Sequence, residues 1–262
     1  MQSTIINRHS KISWFICAAA LVSTACSSGS LGLFRQYEYE EEMYLSLDGT
    51  ATVYVNSSLA ALDALRGAAF DTRPTAPLDR EKVRGFYTTP VTHVAAMPTT
   101  SRRRGRRFVQ VRLDVADIRR LGEAAPFAWS QYDFNREGEL YVFRQQVGQA
   151  ARTSIGNVGW DGREMVAFRL HLPSEIVDHN AGPGYPKRGN ILAWEQPLSE
   201  RLRGKRLAFD VTMKTQSILY RTLWLFAATV ATVAVMFAIV IWWILRRGRG
   251  LSEPAVGTGT GN

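Results

Sequence analysis

Residues 37–67 read YEYEEEMYLSLDGTATVYVNSSLAALDALRG. Tyr37, Tyr39, Met43, Leu45 and Leu47 alternate with Glu38, Glu40, Glu42 and Ser46, the period of two that marks a strand with one face in a core and the other in water. Glu41 alone interrupts the apolar face. The run Glu38 to Glu42 therefore reads as a solvated strand face, with pairing to a basic segment elsewhere as the alternative. Asp48-Gly49 is a turn pair, and Ala51, Val53 and Val55 return as a second strand, so the two strands form a hairpin. Asn56 to Ser58 supply caps ahead of Leu59, Leu62 and Leu65, which recur at helical spacing, and Gly67 ends that helix.

The same reading extends along the chain. Two prolines in 68–78 mark a loop, and a short helix follows from Asp79 to about Tyr87. Thr89 to Met97 is strand-like but carries Pro90, which suits an edge. Phe108 to Asp114 is a strand and Ala116 to Gly122 a short helix. Phe127 to Phe134 and Leu140 to Val147 flank the polar turn Asn135 to Gly138 as a second hairpin. After a glycine-bearing loop, 148–163, strands are expected at Glu164 to Leu172, Asn190 to Glu195 and Arg206 to Thr215. Strands at short spacing with few, brief helices predict an α+β fold, mostly antiparallel in its sheet, with one C-terminal transmembrane helix.

That last helix is set by composition. Leu223 to Leu245 is a run of 23 residues without a charge, enough at about 1.5 Å per residue to cross a hydrocarbon core of about 30 Å. Trp224 lies at one end and Trp242 and Trp243 at the other, where amphipathic rings prefer the interface, and Arg246, Arg247 and Arg249 follow at once and mark the cytoplasmic end. At the other terminus, Arg8 and Lys11, an apolar segment from Ile12 to Val22 and small residues beyond have the layout of a secretion signal. The expected divisions are a signal peptide at 1–25, a linker at 26–33, an extracytoplasmic α+β domain at 34–217, a transmembrane helix at 218–245 and a cytoplasmic tail at 246–262. Ser23-Thr24-Ala25-Cys26 resembles a lipobox, which makes Cys26 a lipidation candidate; ordinary cleavage after Ala25 is the alternative, and an uncleaved N-terminal anchor the third. The expected location is a bacterial membrane, crossed once, with the bulk of the chain outside the cytoplasm.

The whole chain carries a net charge of +9. Only +4 belongs to 26–217, and five of the positive charges there are packed into Arg102-Arg103-Arg104-Gly105-Arg106-Arg107. Basicity is thus a local patch, which argues against a nucleic-acid face, where basic residues are spread more widely. Five guanidinium groups in one hexapeptide could instead grip phosphates or carboxylates as bidentate forks, so Arg102, Arg103, Arg104, Arg106 and Arg107 are the candidates for an anionic ligand. The plain reading of the same run is a solvated hairpin tip. His93, His171 and His179 have no metal-binding spacing and no cysteine partner, Asp178-His179 are adjacent and point apart, and no nucleophile motif is present. Neither metal nor cofactor is expected, and no set of residues specifies a reaction.

The later motifs His171-Leu172-Pro173, Asn180-Ala181-Gly182 and Gly189-Asn190-Ile191-Leu192-Ala193-Trp194, following a candidate lipobox and a hairpin with an Asp-Gly turn, resemble the bacterial LppM-type lipoprotein domain. The resemblance spans roughly residues 34–245; Ala181 separates an Asn-Gly pair that the family joins. It implies an α+β surface domain that contacts lipids or envelope glycolipids and has no catalytic residues to transfer. In physical terms Asn and Gly at these positions tolerate positive φ in turns, and Trp194 reads as core. The expected function is a non-enzymatic, membrane-anchored domain that binds lipid headgroups, glycolipid or another anionic envelope ligand. An accessory subunit of an envelope protein complex is the alternative, and a hydrolase the third.

Overall fold

The computed structural model describes residues 36–73, 75–186 and 190–248. The leader with Cys26, the linker and the tail with Arg249 lie outside the described residues, as does Gly189 of the Gly-Asn motif. In chain order the elements are β1 (Gln36–Leu45), β2 (Ala51–Ser58), α1 (Leu59–Arg66), α2 (Arg80–Tyr87), β3 (Thr92–Val94), β4 (Thr99–Arg103), β5 (Arg106–Val115), β6 (Ser130–Glu137), β7 (Leu140–Val147), β8 (Glu164–His171), β9 (Ser174–His179), β10 (Ile191–Pro197), α3 (Leu198–Leu202), β11 (Leu207–Ser217) and α4 (Ile218–Gly248). Short 3-10 turns, Ile118–Glu123 and Ala125–Phe127, link β5 to β6. The fold is α+β, as the strand spacing predicts.

The strands divide between two sheets. One runs β10-β8-β1-β2-β5-β3 with β4 also on β5, and the other runs β6-β7-β11-β9. Every pairing is antiparallel except β1 with β8. The inner faces meet through aromatic side chains: Trp194 of β10 stacks on Phe209 of β11 with centroids 4.3 Å apart, and Phe168 of β8 lies 5.3 Å from the same ring. Trp194 is therefore core, and Asn180 fixes it there. The Asn180 carboxamide accepts from Trp194 Nε1 and from Asp210 N, both at 3.0 Å, and donates to Ala208 O, so a residue that reads as a turn former ties β10 to β11.

The first hairpin and helix form as their residues dictate. Ser58 accepts from Ala61 N at 3.0 Å as the N-cap of α1, and Gly67, at φ 66°, closes it in the left-handed region that a side chain would strain. Asp79 caps α2 in the same way. β3 is the expected edge strand beyond Pro90. Three elements have no counterpart in the sequence reading: β4, β9 and α3. The second hairpin also turns later than expected, because β6 continues through Glu137 and pairs it with Leu140.

The acidic run in β1 departs most from expectation. Glu38 is 0% and Glu41 2% exposed. β1 is a central strand between β2 and β8, so its inner face, which carries Glu41, is closed by the second sheet. Its outer face is covered at Glu38 by Arg106 and Trp160. A solvated face holds only for Glu40 and Glu42, and even these are half-buried.

α4 runs straight on from β11. Ile218–Arg247 is long and apolar enough to cross a membrane: its most apolar 18-residue stretch has a mean hydropathy of 2.4, and none of that stretch is buried by the rest of the chain. Leu223, Trp224, Trp242, Trp243 and Leu245 are all exposed on it, a surface that water alone would not tolerate on this scale.

Candidate functional site

The arginine hexapeptide forms the tip of the β4–β5 hairpin. Arg102 pairs with Arg107 and Arg103 with Arg106, leaving Arg104-Gly105 as a two-residue loop with φ of 49° and 76°. Positive φ at both positions matches the twist of the flanking strands and favours Asn or Gly. Arginine is less favoured at that φ than either.

Strand alternation divides the five side chains. Arg103 and Arg106 belong to one face of the ribbon, Arg102 and Arg107 to the other, and Arg104 to the tip. The five guanidinium groups of the run therefore do not share one face. Arg106 is turned inward, its side chain 9% exposed, with Nη2 2.8 Å and Nε 3.0 Å from Glu38 Oε1 and Nη1 donating to Gly159 O at 2.5 Å. Trp160 Nε1 donates to the other Glu38 oxygen at 3.3 Å. Burial pushes the Glu38 carboxyl up, and Ser58, Arg106 and Trp160 oppose that shift. Arg106 thus serves as a floor.

Above that floor Gln36, Tyr37, Glu38, Arg103, Arg104, Arg106 and Phe108 enclose a pocket of about 160 Å³. The Arg103 guanidinium lies 5.1 Å over the Phe108 ring, and Arg104 donates to Gln36 Oε1. Nearby acids already have other partners. Asp71 is held down at about 2 chiefly by Arg73 at 2.5 Å, and Asp161 at about 2 chiefly by Arg163 at 2.6 Å; Arg107 and Arg104 add smaller attractions. The pole is therefore strongly positive on its surface.

A larger groove, about 430 Å³, adjoins on the outer face of the same sheet. Tyr54, Asn56, Met97 and Arg112 line it with Glu40 and Arg169. Arg169 bonds Glu40 at 2.6 Å and lies 5.3 Å over the Tyr37 ring, which also borders the arginine pocket. Farther along this face His171 bonds Glu42 at 2.5 Å and stacks on Tyr44 with centroids 3.9 Å apart. His93 is on β3, and β9 sends Asp178 and His179 to opposite faces. Among the described residues no three of His, Cys, Asp and Glu are placed to hold a metal ion.

A second arginine centre lies between the sheets. Arg66 donates to Glu41 Oε2 at 2.6 Å and also to Tyr39 Oη and Pro126 O. Its guanidinium sits 4.0 Å over the Trp129 ring, and Arg201, 0% exposed, approaches the same ring at 5.2 Å. Arg201 is held by Lys205 O at 2.6 Å and by Gly148 O. Burial pushes the Glu41 carboxyl up to about 8 and the Arg66 guanidinium down to about 10. The sequence reading missed this centre; Glu41 breaking an apolar face was the signal that a buried cation faced it.

No protein-family model matches the chain, and no curated protein matches it in sequence. Among solved structures, the NMR structure of the folded domain of Mycobacterium tuberculosis LppM aligns at a TM-score of 0.39 and 13% identity. The alignment covers 69% of this chain and 92% of that one.

Proposed function

We propose that this chain is a non-enzymatic domain, anchored in a bacterial membrane by α4, that binds an anionic ligand of the cell envelope through its arginine hairpin. The observation that carries this reading is the pocket rimmed by Arg103 and Arg104 and floored by the Arg106–Glu38 pair. Guanidinium forks are suited to phosphate and carboxylate oxygens. The neighbouring groove gives room for the rest of a ligand, such as a headgroup or a glycan. Arg246 and Arg247, stacked over Trp242 and Trp243 at the end of α4, support a cytoplasmic C-terminus, which puts the domain on the other side. Acylation at Cys26 belongs to this reading, and fatty-acid labelling that persists in Cys26→Ala would remove it.

The test is retention of the detergent-solubilised full chain on phosphocellulose. The wild-type chain should elute at clearly higher salt than an Arg103→Gln, Arg104→Gln variant. Elution of both at the same salt would take the hairpin out of the function. A second reading, an interaction subunit of an envelope complex, is favoured by β9, an edge strand with Val177 52% exposed, since an open edge can accept a partner's strand. Cross-linking in cells that recovers no partner would count against it.

A further inference from the structure

The arginine pocket and the span lie at opposite ends of the domain. β1 and β8 run parallel, so Gln36 and Glu164 share one end and Tyr44 and His171 the other. The hairpin tip belongs to the first end, where Arg104 donates to Gln36 and Arg106 to Glu38 and Gly159 O. The span belongs to the second. Just past the end of β8, Pro173 O accepts from Ile218 N at 3.0 Å, and Ser174 pairs with Ser217, the last residue of β11. No loop separates β11 from α4. At about 3.3 Å per residue, β8 from Glu164 to His171 places roughly 23 Å of strand between the two ends. Because the Debye length is about 8–10 Å at physiological salt, headgroups at the point where α4 enters its bilayer are screened from Arg103 and Arg104.

The form of the hairpin narrows the ligand further. Its cationic side chains occur on both faces of a two-stranded ribbon and at its tip, with the Arg104-Gly105 loop holding an arginine outermost at φ 49°. A flat surface, whether a bilayer or a folded protein, meets one face of a ribbon. A flexible chain of anionic groups can pass around the tip and meet both, and such a chain gains affinity by engaging several guanidinium groups at once.

We infer that the hairpin binds a linear polyanion, a polymer bearing phosphate or carboxylate groups, held roughly 23 Å out from the membrane that α4 crosses, and does not bind the headgroups of that membrane. This rests on the anion-binding reading above and fixes where the anion is and what form it takes.

The experiment uses the full chain in nanodiscs of two compositions, one wholly zwitterionic and one with anionic lipid. Fluorescent polyphosphate and fluorescent polyglutamate are titrated onto each and followed by anisotropy. At least one polymer should bind, with the tighter of the two identifying the anion, and its affinity should differ by less than about twofold between the two discs because the disc lipid is screened from the site. Arg103→Gln with Arg104→Gln should weaken binding at least about tenfold, because two of the guanidinium groups that line the pocket are lost. An unchanged thermal melt would show that the variant is folded. Loss of polymer binding in anionic discs, equal to the loss in the Gln variant, would show the arginines facing their own bilayer; the polyanion inference then fails while the anion-binding reading stands. Clustering of anionic vesicles added from outside, without binding of either polymer, would put an opposing membrane at the tip and overturn the polymer assignment. If neither polymers nor vesicles bind, the anion-binding reading itself fails.

Discussion

The strand β1 carries two buried glutamates, each answered by an arginine from elsewhere, and the two pairs have opposite surroundings. Glu41 meets Arg66 on the inner face, where Tyr39, Phe127 and Trp129 enclose the guanidinium at 4.9, 5.0 and 4.0 Å. Glu38 meets Arg106 on the outer face, where the pair floors a pocket open between Arg103 and Arg104. The chemistry of each pair is the same. What differs is the next layer, rings and a second sheet in one case and further cations beside solvent in the other. The first pair holds the sheets together, and the second presents charge.

The sharpest way to break this contrast is to remove the inner cation. Arg66→Ala should destabilise the domain by about 3–5 kcal/mol, because it removes the cation beside a fully buried carboxyl, leaving the Tyr39 Oη donor at 2.6 Å, and empties space among the rings. Thermal unfolding followed by tryptophan fluorescence would check it; a loss no larger than that of an exposed arginine would refute the enclosed-pair description. Arg106→Ala should cost less, about 1–3 kcal/mol, since Glu38 keeps its bond from Trp160. The same melt, run beside the Arg66 variant, tests the ordering.

The inner pair also predicts a dependence on pH. Burial raises the Glu41 carboxyl to about 8 in the folded chain, so the folded state holds that proton more tightly than the unfolded one. The stability this supplies is whole below the ordinary carboxylate range and is lost as pH rises through about 8. The wild-type melting temperature should therefore fall between pH 5 and pH 9 relative to that of Glu41→Gln, which cannot ionise. Parallel curves would mean that Arg66 keeps Glu41 ionised throughout. The smallest effect concerns the outer region. Arg104→Asn should leave stability unchanged or raise it by up to about 1 kcal/mol, because Asn tolerates positive φ better than Arg, while lowering the salt needed to elute the chain from phosphocellulose. A gain in stability without a loss of retention would detach that arginine from binding.

Much of the local structure was legible from residues near one another in the chain. Ser58 and Gly67 bound α1, Asp79 caps α2, Asp48-Gly49 turns the first hairpin, and Pro90 precedes an edge strand. β4 was not legible, because a strand of Thr99 to Arg103 is polar on both sides and nothing in its pattern marks a core face. The site was legible in part. The arginine run pointed to the right hairpin, but composition counts five equivalent cations where alternation and the Glu38 partner leave two faces, a tip and a floor. The inner centre was missed because Glu41, Arg66 and Arg201 are far apart in sequence and meet only when the sheets close.

By itself the sequence determined the elements whose causes are local: caps, turns, alternation, and the uncharged run of 23 residues that forms the body of α4. Each depends on a residue and its near neighbours, through backbone conformation or through the length of an apolar stretch. The tertiary structure decided that β1 is covered at Glu38 on its outer face as well, which arginines were spent on holding the fold, and that the hairpin tip and the span stand at opposite ends. Those outcomes follow from the parallel pairing of β1 with β8, 128 residues apart at Gln36 and Glu164. A pairing so distant is set by the closing of the whole core, which no local pattern encodes.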